Sequence, residues 1–445
     1  MAADETLAPG HGREASGTRA PGPGSPASVQ TRSIQTHSIE MRSIETRTSW
    51  VVAFTALGVL AVSYGAPLVS VVALKPMAAD LGGERSVPAL ANSLAWFGTA
   101  VGGIVMGRIA ERIGVRWTVT FGALMIGLGL WISTLGGAWP LWIGHGLFVG
   151  LIGNAGLNAP LYVYVSRWFD RRCGTALALI SSGQYLAGAI WPPLFERAVA
   201  AFGWPRTMQL VGMVLVAVVV PAAFVLRPPP RAQALGAALE ARSGGRVLGW
   251  PPNLVLAILA FASFCCCIPM AMPSTHLIAF CGDLGIAPAR GAVMLSVLLA
   301  TAFFSRQIWG WISDRIGGLR TVLVGSASQA AAMTAFLLTQ NEAGLFAVAA
   351  AFGLGYSGII PAYVLAVRQL FPASEASWRV PTLLLCSGSG MAAGGWLAGL
   401  LYDHYGFYAP AFGTGIAFNL ANLVLIGLLV SRRRHAGHGL PALAA

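Results

Sequence analysis

Lysine occurs once in this chain, at Lys75, and charged side chains of any kind make up only 10% of its 445 residues. A water-soluble domain carries about a quarter. The few charges are also unevenly spread. The stretches 51–74, 117–166, 247–282, 343–367 and 405–431 contain no Asp, Glu, Lys or Arg at all. Uncharged apolar runs of 18 or more residues match the ~30 Å hydrocarbon core of a bilayer. With 56% hydrophobic residues and a mean hydropathy of +0.69, the scarcity of charge excludes a soluble domain. It predicts an all-α, multi-pass membrane protein. Cysteine is scarce too: of six, Cys265, Cys266 and Cys267 are consecutive in an apolar run. That placement offers neither a zinc spacing nor a loop disulfide and reads as packing. No metal cluster, nucleophile–base pairing or phosphate loop stands out, so neither an enzyme nor a cofactor is expected.

Acids number 16 against 28 basic residues, a net charge of +12. The placement of the bases argues against a nucleic-acid partner. With the amino terminus inside, the cytoplasmic segments hold 22 of the 28, and the opposite loops hold Lys75, Arg85, Arg197, Arg206 and Arg290. This is the positive-inside bias of a membrane protein, here with both termini cytoplasmic in a cell inner membrane. Residues 1–48 are polar and rich in Gly, Pro, Ser and Thr, and read as a disordered cytoplasmic tail with a small repeat, "RSIQT HSIEM RSIET", at 32–46. No cleavable signal is apparent in it.

Twelve transmembrane helices follow, at 50–74, 87–107, 117–136, 140–165, 174–196 and 207–227, then 251–281, 290–312, 320–340, 343–367, 381–402 and 408–431. The basic, Pro-rich segment 228–250 joins a six-helix half over 49–227 to a second over 251–431, and 432–445 forms a second tail. The halves repeat. Gly107, Glu111, Arg112 and Gly114 in "GRIAERIGVR" match Gly310, Asp314, Arg315 and Gly317 in "GWISDRIGGLR" at one constant offset. Ser182, Gly183 and Trp191 match Ser387, Gly388 and Trp396 at nearly the same offset. Two pseudo-symmetric halves of parallel topology are the plan of a rocking transporter with its site between them.

The first repeat, with Arg116 completing it, resembles the loop motif of the major facilitator superfamily. Its second copy departs only in placing its last base, Arg320, one position late. The resemblance implies the major facilitator fold, and gating rather than substrate contact for Gly107, Glu111, Arg112, Gly114, Arg116, Gly310, Asp314, Arg315 and Gly317. "SRWFDRRCGTALAL" (166–179), "PSTHLIAFCGDLGI" (273–286) and "GGWLAGLLYDHYGFYAPAF" (394–412) further resemble the branch of oxalate/formate exchangers and monocarboxylate transporters.

Within the spans no Asp or Glu lies at mid-depth, and Arg306 is the one fixed charge there. A guanidinium keeps its proton and is costly to bury, so an intramembrane arginine marks a functional site by default. The first half has Gly103 at the equivalent position, so Arg306 is no part of the repeated scaffold. It stands ~12 Å of helix rise before Asp314, far for a full snorkel. With no buried acid to meet it, a substrate carboxylate held bidentately would supply the missing charge. The branch resembled carries such an arginine in its eighth span, in the spacing R-x-x-x-G that Arg306 and Gly310 reproduce.

Other candidates line up behind it. Asn154 and Asn158 could donate to a carboxylate or link helices; the branch often has tyrosine at the latter position. Tyr356 matches a tenth-span tyrosine that faces substrate in the branch. Gln184, Ser387 and Tyr64 are polar residues at similar depth, with helix packing the competing reading. His145 and His276 could carry a coupled proton or serve as satisfied structural residues. Two departures weigh against the proton relay of animal monocarboxylate transporters: Leu68 stands where they have lysine, and Ala302 where they have aspartate. The eleventh span also lacks the lysine of the oxalate exchanger. These features predict a secondary transporter of a small organic anion, most simply a monocarboxylate, working as a monomer in the lipid bilayer by alternating access. The alternatives are an efflux transporter for amphipathic compounds and a non-transporting membrane receptor.

Overall fold

The computed structural model describes residues 45–169, 173–226 and 247–437. The tail expected over 1–48, the linker over 228–250 and the tail after 432 lie largely outside the described residues. Eleven of its helices are long and apolar enough to cross a membrane. One of them, Thr175–Val225, has 51 residues, which as one helix would run to about 76 Å and span a bilayer twice over. It breaks at Gly203, whose φ of 78° is open to glycine at little cost, and Pro205 then starts the next helix with its preset φ. Twelve spans result.

In chain order they are α1 Arg47–Val72, α2 Ser86–Ile113, α3 Val115–Ile132, α4 Ala138–Ser166, α5 (175–202) and α6 (204–225), then α7 Pro252–Asp283, α8 Pro288–Ile316, α9 Gly318–Leu338, α10 Glu342–Leu370, α11 Trp378–Tyr405 and α12 Ala409–Arg433. The sequence pattern ends the second and eighth spans at 107 and 312; both run on by several residues. The motif residues Gly107, Glu111 and Arg112 therefore sit on α2, and Gly310, Asp314 and Arg315 on α8. The connection to the next helix is one residue in each half, Gly114 (φ 92°) and Gly317 (φ 81°). A side chain there would be strained, which explains why glycine occupies the same place in both repeats.

Several spans are interrupted near mid-depth. α1 turns at Tyr64, α5 at Ser182 and α10 at Ser357–Gly358. Residues Gly144–Asn154 of α4 form a π-helix, a winding that apolar periodicity does not signal. Glycines bring neighbouring backbones close beside it: a Cβ on Gly102 would lie 2.0 Å from the Leu151 carbonyl oxygen, and one on Gly150 2.6 Å from that of Ala95. Glycine also lets the halves meet. A Cβ at Gly399 of α11 would lie 2.9 Å from the Ser86 Cα, one at Gly388 3.1 Å from the Ala100 Cβ, and one at Gly188 of α5 2.0 Å from Leu299 of α8.

Candidate functional site

Arg306 is half-buried where α8 of the second half faces α5 of the first. Its neighbours on α8 fix that orientation. Thr301, Ser305 and Trp309, spaced four apart, form a stripe that bonds to α10: Thr301 to the Ala350 carbonyl (3.2 Å), Ser305 and Trp309 to that of Leu354 (2.6 and 2.7 Å). With that face committed, Arg306 points across the seam. At Ser182 the α5 backbone turns, and the Tyr185 N–H bonds to the Ser182 carbonyl (3.0 Å). The Ser181 carbonyl then receives Arg306 Nη1 at 3.5 Å, a weak contact. The guanidinium carbon lies 5.2 Å from the Tyr185 ring centroid. Among the described residues Arg306 forms no ion pair.

Around it stand phenols from four helices. Tyr64, Tyr162, Tyr185 and Tyr356 interact with one another or with the arginine charge. Tyr185 and Tyr356 meet edge to face at 6.1 Å, and Phe352 packs on Tyr356 at 4.9 Å. Tyr64 stacks on Trp96 at 5.8 Å and accepts a hydrogen bond from the Asn158 amide. Asn154 borders a small crevice with Tyr64, Trp96 and Thr99. The structure thus brings Arg306, Tyr64, Asn158 and Tyr356 to one seam, with Asn154 one turn away along α4. Tyr162 joins them without having been singled out, and so does Tyr185, the neighbour of Gln184 in sequence, where packing was the leading reading. Asn154, Asn158 and Tyr162 are spaced four apart, a stripe that marks one helix face, and that spacing was the available signal.

Among the described residues, no hydrogen bond or ring contact joins the other expected residues to Arg306. Ser387 is buried and donates to the Leu383 carbonyl of its own helix (3.0 Å). Gln184, next to Tyr185 in sequence, is turned about 100° away from it around α5. His145 is fully buried inside the first half, with Nδ1 against Ser133 Oγ (2.9 Å) and Nε2 without a partner. Of the motif residues, Glu111 pairs with Arg167 at the end of α4 (3.2 Å), and Arg315 stacks on Trp311. Asp314 forms no ion pair among the described residues.

His276 belongs to a latch between the halves at the end of the molecule that carries Lys75 and Arg85. Arg85 grips Asp283 of α7 bidentately (2.6 and 2.7 Å), and Lys75 reaches the same carboxylate at 2.7 Å. Asp403 of α11 accepts from the backbone N–H groups of Arg85 and Ser86 (2.8 and 2.9 Å), capping α2 from the other half. The Tyr402 ring lies 3.6 Å from the Arg85 guanidinium carbon. Burial opposes the Arg85 charge, but Asp283 and Tyr408 outweigh it and raise the pKa above the ordinary arginine value. Arg85 also donates to the Tyr408 hydroxyl (3.0 Å), which donates to His276 Nδ1 (3.0 Å), and His276 Nε2 donates to the Gly395 carbonyl (2.8 Å). The carbonyl can only accept, so it fixes that tautomer. Among the described residues, the hydrogen bonds and ion pairs that cross between halves fall at this end, at Asn92–Thr275, or beside Arg306. At the other end, a Cβ on Gly107 or Gly310 would meet no atom within 4 Å.

Comparison with known proteins agrees with this architecture. The family model described as Major Facilitator Superfamily matches residues 50–340 and 259–445. An MFS-type transporter of Ophiocordyceps is 23% identical over 65% of this chain and 63% of its own length, so the match spans less than two thirds of that relative. Monocarboxylate transporter 13 of Bos taurus is 24% identical over 73% of this chain and 75% of its own. Among solved structures, the peptide transporter POT superposes with a TM-score of 0.67 at 16% identity, covering 87% of this chain and 95% of that one. The chain belongs to the Major Facilitator Superfamily and is a multi-pass membrane transporter, not an enzyme.

Proposed function

We propose that this transporter carries a small organic anion, most simply a monocarboxylate, with Arg306 as the group that takes the carboxylate. One observation carries the reading: a guanidinium at the seam between the halves with tyrosines and an asparagine around it and, among the described residues, no acid paired to it. A bidentate carboxylate satisfies the charge, and the phenols and the Asn158 amide supply neutral donors beside it. The similarity to a monocarboxylate transporter supports the same substrate class.

The same observation favours exchange over net flux. Returning the empty carrier would close protein around an uncompensated cation, which is costly in low dielectric. A bound anion removes that cost in both directions. Ala302 and Leu68 leave α8 and α1 without the acid and the base of a proton relay. In this reading the protein sits in an inner membrane with both termini in the cytoplasm, is latched shut on the outside, and works as a monomer.

Reconstitution in liposomes tests it. Uptake of labelled lactate, pyruvate, formate and oxalate is measured with and without a pH gradient and with or without unlabelled anion inside. Arg306→Ala is expected to abolish uptake, and Arg306→Lys to reduce it at least about tenfold, because a point charge replaces the planar fork. Full uptake by the alanine variant overturns the site. Uptake that needs no internal anion and follows the pH gradient overturns exchange.

A further inference from the structure

At the end of the molecule opposite the latch, the first half holds a cavity of about 370 Å³ between the ends of α2, α3, α4 and α6. Glu111, Arg116, Trp117, Val163, Tyr164 and Arg167 line it. Glu111 is already engaged by Arg167 (3.2 Å), so the positive charge of Arg116 is left over. Arg116 forms no ion pair among the described residues, and its Nε is shut off from solvent with no hydrogen-bond partner. The Phe224 ring lies 5.6 Å from the guanidinium carbon. The guanidinium lines the cavity without a paired acid, so an anion seated there would meet its positive charge.

The second half shows what a completed version looks like. There the corresponding helix start, the Gly318 N–H, donates to Gln369 Oε1 (3.1 Å), and Arg433 reaches the same oxygen (3.4 Å). In the first half, among the described residues, no side chain accepts from the N–H groups at the Val115 start of α3, beside the cavity. The rim is apolar and outward-facing: Ile113, Trp117 and Val163 line the cavity and are exposed, and Phe224 is exposed beside Arg116. All four lie at the ends of membrane spans. A soluble anion has no use for such a rim, whereas a molecule with an anionic head and a hydrocarbon tail uses both parts.

We propose that this cavity binds an anionic phospholipid, its phosphodiester on Arg116 and the α3 start, its acyl chains along Trp117 and Val163. The inference is independent of what the protein transports. The test uses the full chain, delipidated in detergent and re-exposed to mixed micelles of dioleoyl phosphatidylglycerol and dioleoyl phosphatidylcholine, with bound lipid counted by native mass spectrometry. Wild type is expected to retain phosphatidylglycerol in preference. Arg116→Gln is expected to lower that retention about fivefold, with Arg116→Lys keeping most of it and Arg206→Gln, on the opposite face, keeping all. Should Arg116→Gln fail to give monodisperse protein, Trp117→Ser leaves the cation in place and is expected to weaken retention through the chain contact. Undiminished retention in the Arg116→Gln variant, or in Trp117→Ser where that replaces it, overturns the proposal. Displacement of the lipid by millimolar inorganic phosphate alone would also overturn it and make the site one for a soluble anion.

Discussion

At the scale of single residues, the strongest signal in the sequence was a charge out of place. Arg306 was legible because an arginine in an apolar run has few bland explanations. Of the tyrosines around it, Tyr64 and Tyr356 were legible as candidates and Tyr162 was not, since phenols are ordinary in membrane helices and only their rotation about each axis makes them a site. Ser387 shows the limit well: polar, at the right depth and in a repeated motif, it gives its hydroxyl proton to the Leu383 carbonyl of its own helix. His276 turns out to be a junction with both ring nitrogens engaged. Replacing it with Phe takes one partner from the Tyr408 hydroxyl, which keeps Arg85, and one from the Gly395 carbonyl, which keeps its helical bond. We expect a loss of about 1 kcal/mol for each hydrogen bond removed, measured as a lower midpoint of thermal unfolding in detergent. An unchanged midpoint would remove His276 from the latch.

Elements followed the sequence closely in number and less closely in shape. Hydropathy and the internal repeat locate all twelve spans, because burial in lipid demands long apolar helices with their backbone bonds satisfied internally. The same reasoning leaves the π-helix of α4 invisible and ends α2 and α8 early, because Glu111, Arg112, Asp314 and Arg315 are polar residues on helix ends beyond the apolar window. Glycine is the part of the pattern with the most to say about packing. At Gly399 a methyl group would lie 2.9 Å from backbone of Ser86, too near for a flexible side chain to yield. Gly399→Val is therefore expected to hold α2 and α11 apart at the latch end. Spin labels on Glu84→Cys and Phe407→Cys would report a longer distance than in the otherwise unaltered protein, and an unchanged distance would show that the helices slide past the added bulk.

For the whole molecule, duplication was legible from sequence while its state was not. Lys75, Arg85, Asp283 and Asp403 read only as charges near span ends, and they pair because the two halves meet over them. Asp283 meets two cations at once, so Asp283→Asn leaves both without a carboxylate. We expect it to weaken closure by on the order of 2 kcal/mol, about thirtyfold in the closed population. The same label pair would show a second, longer distance, and a single short distance would mean that apolar packing alone keeps this face shut. Asp403 holds the halves together differently, because what it grips is the backbone N–H of Arg85 and Ser86. Any residue but proline presents that group. The latch is thus half written in a form that no substitution at 85 or 86 except proline can erase. Saturation mutagenesis should find position 86 permissive toward small residues, while position 403 tolerates almost nothing but its own carboxylate.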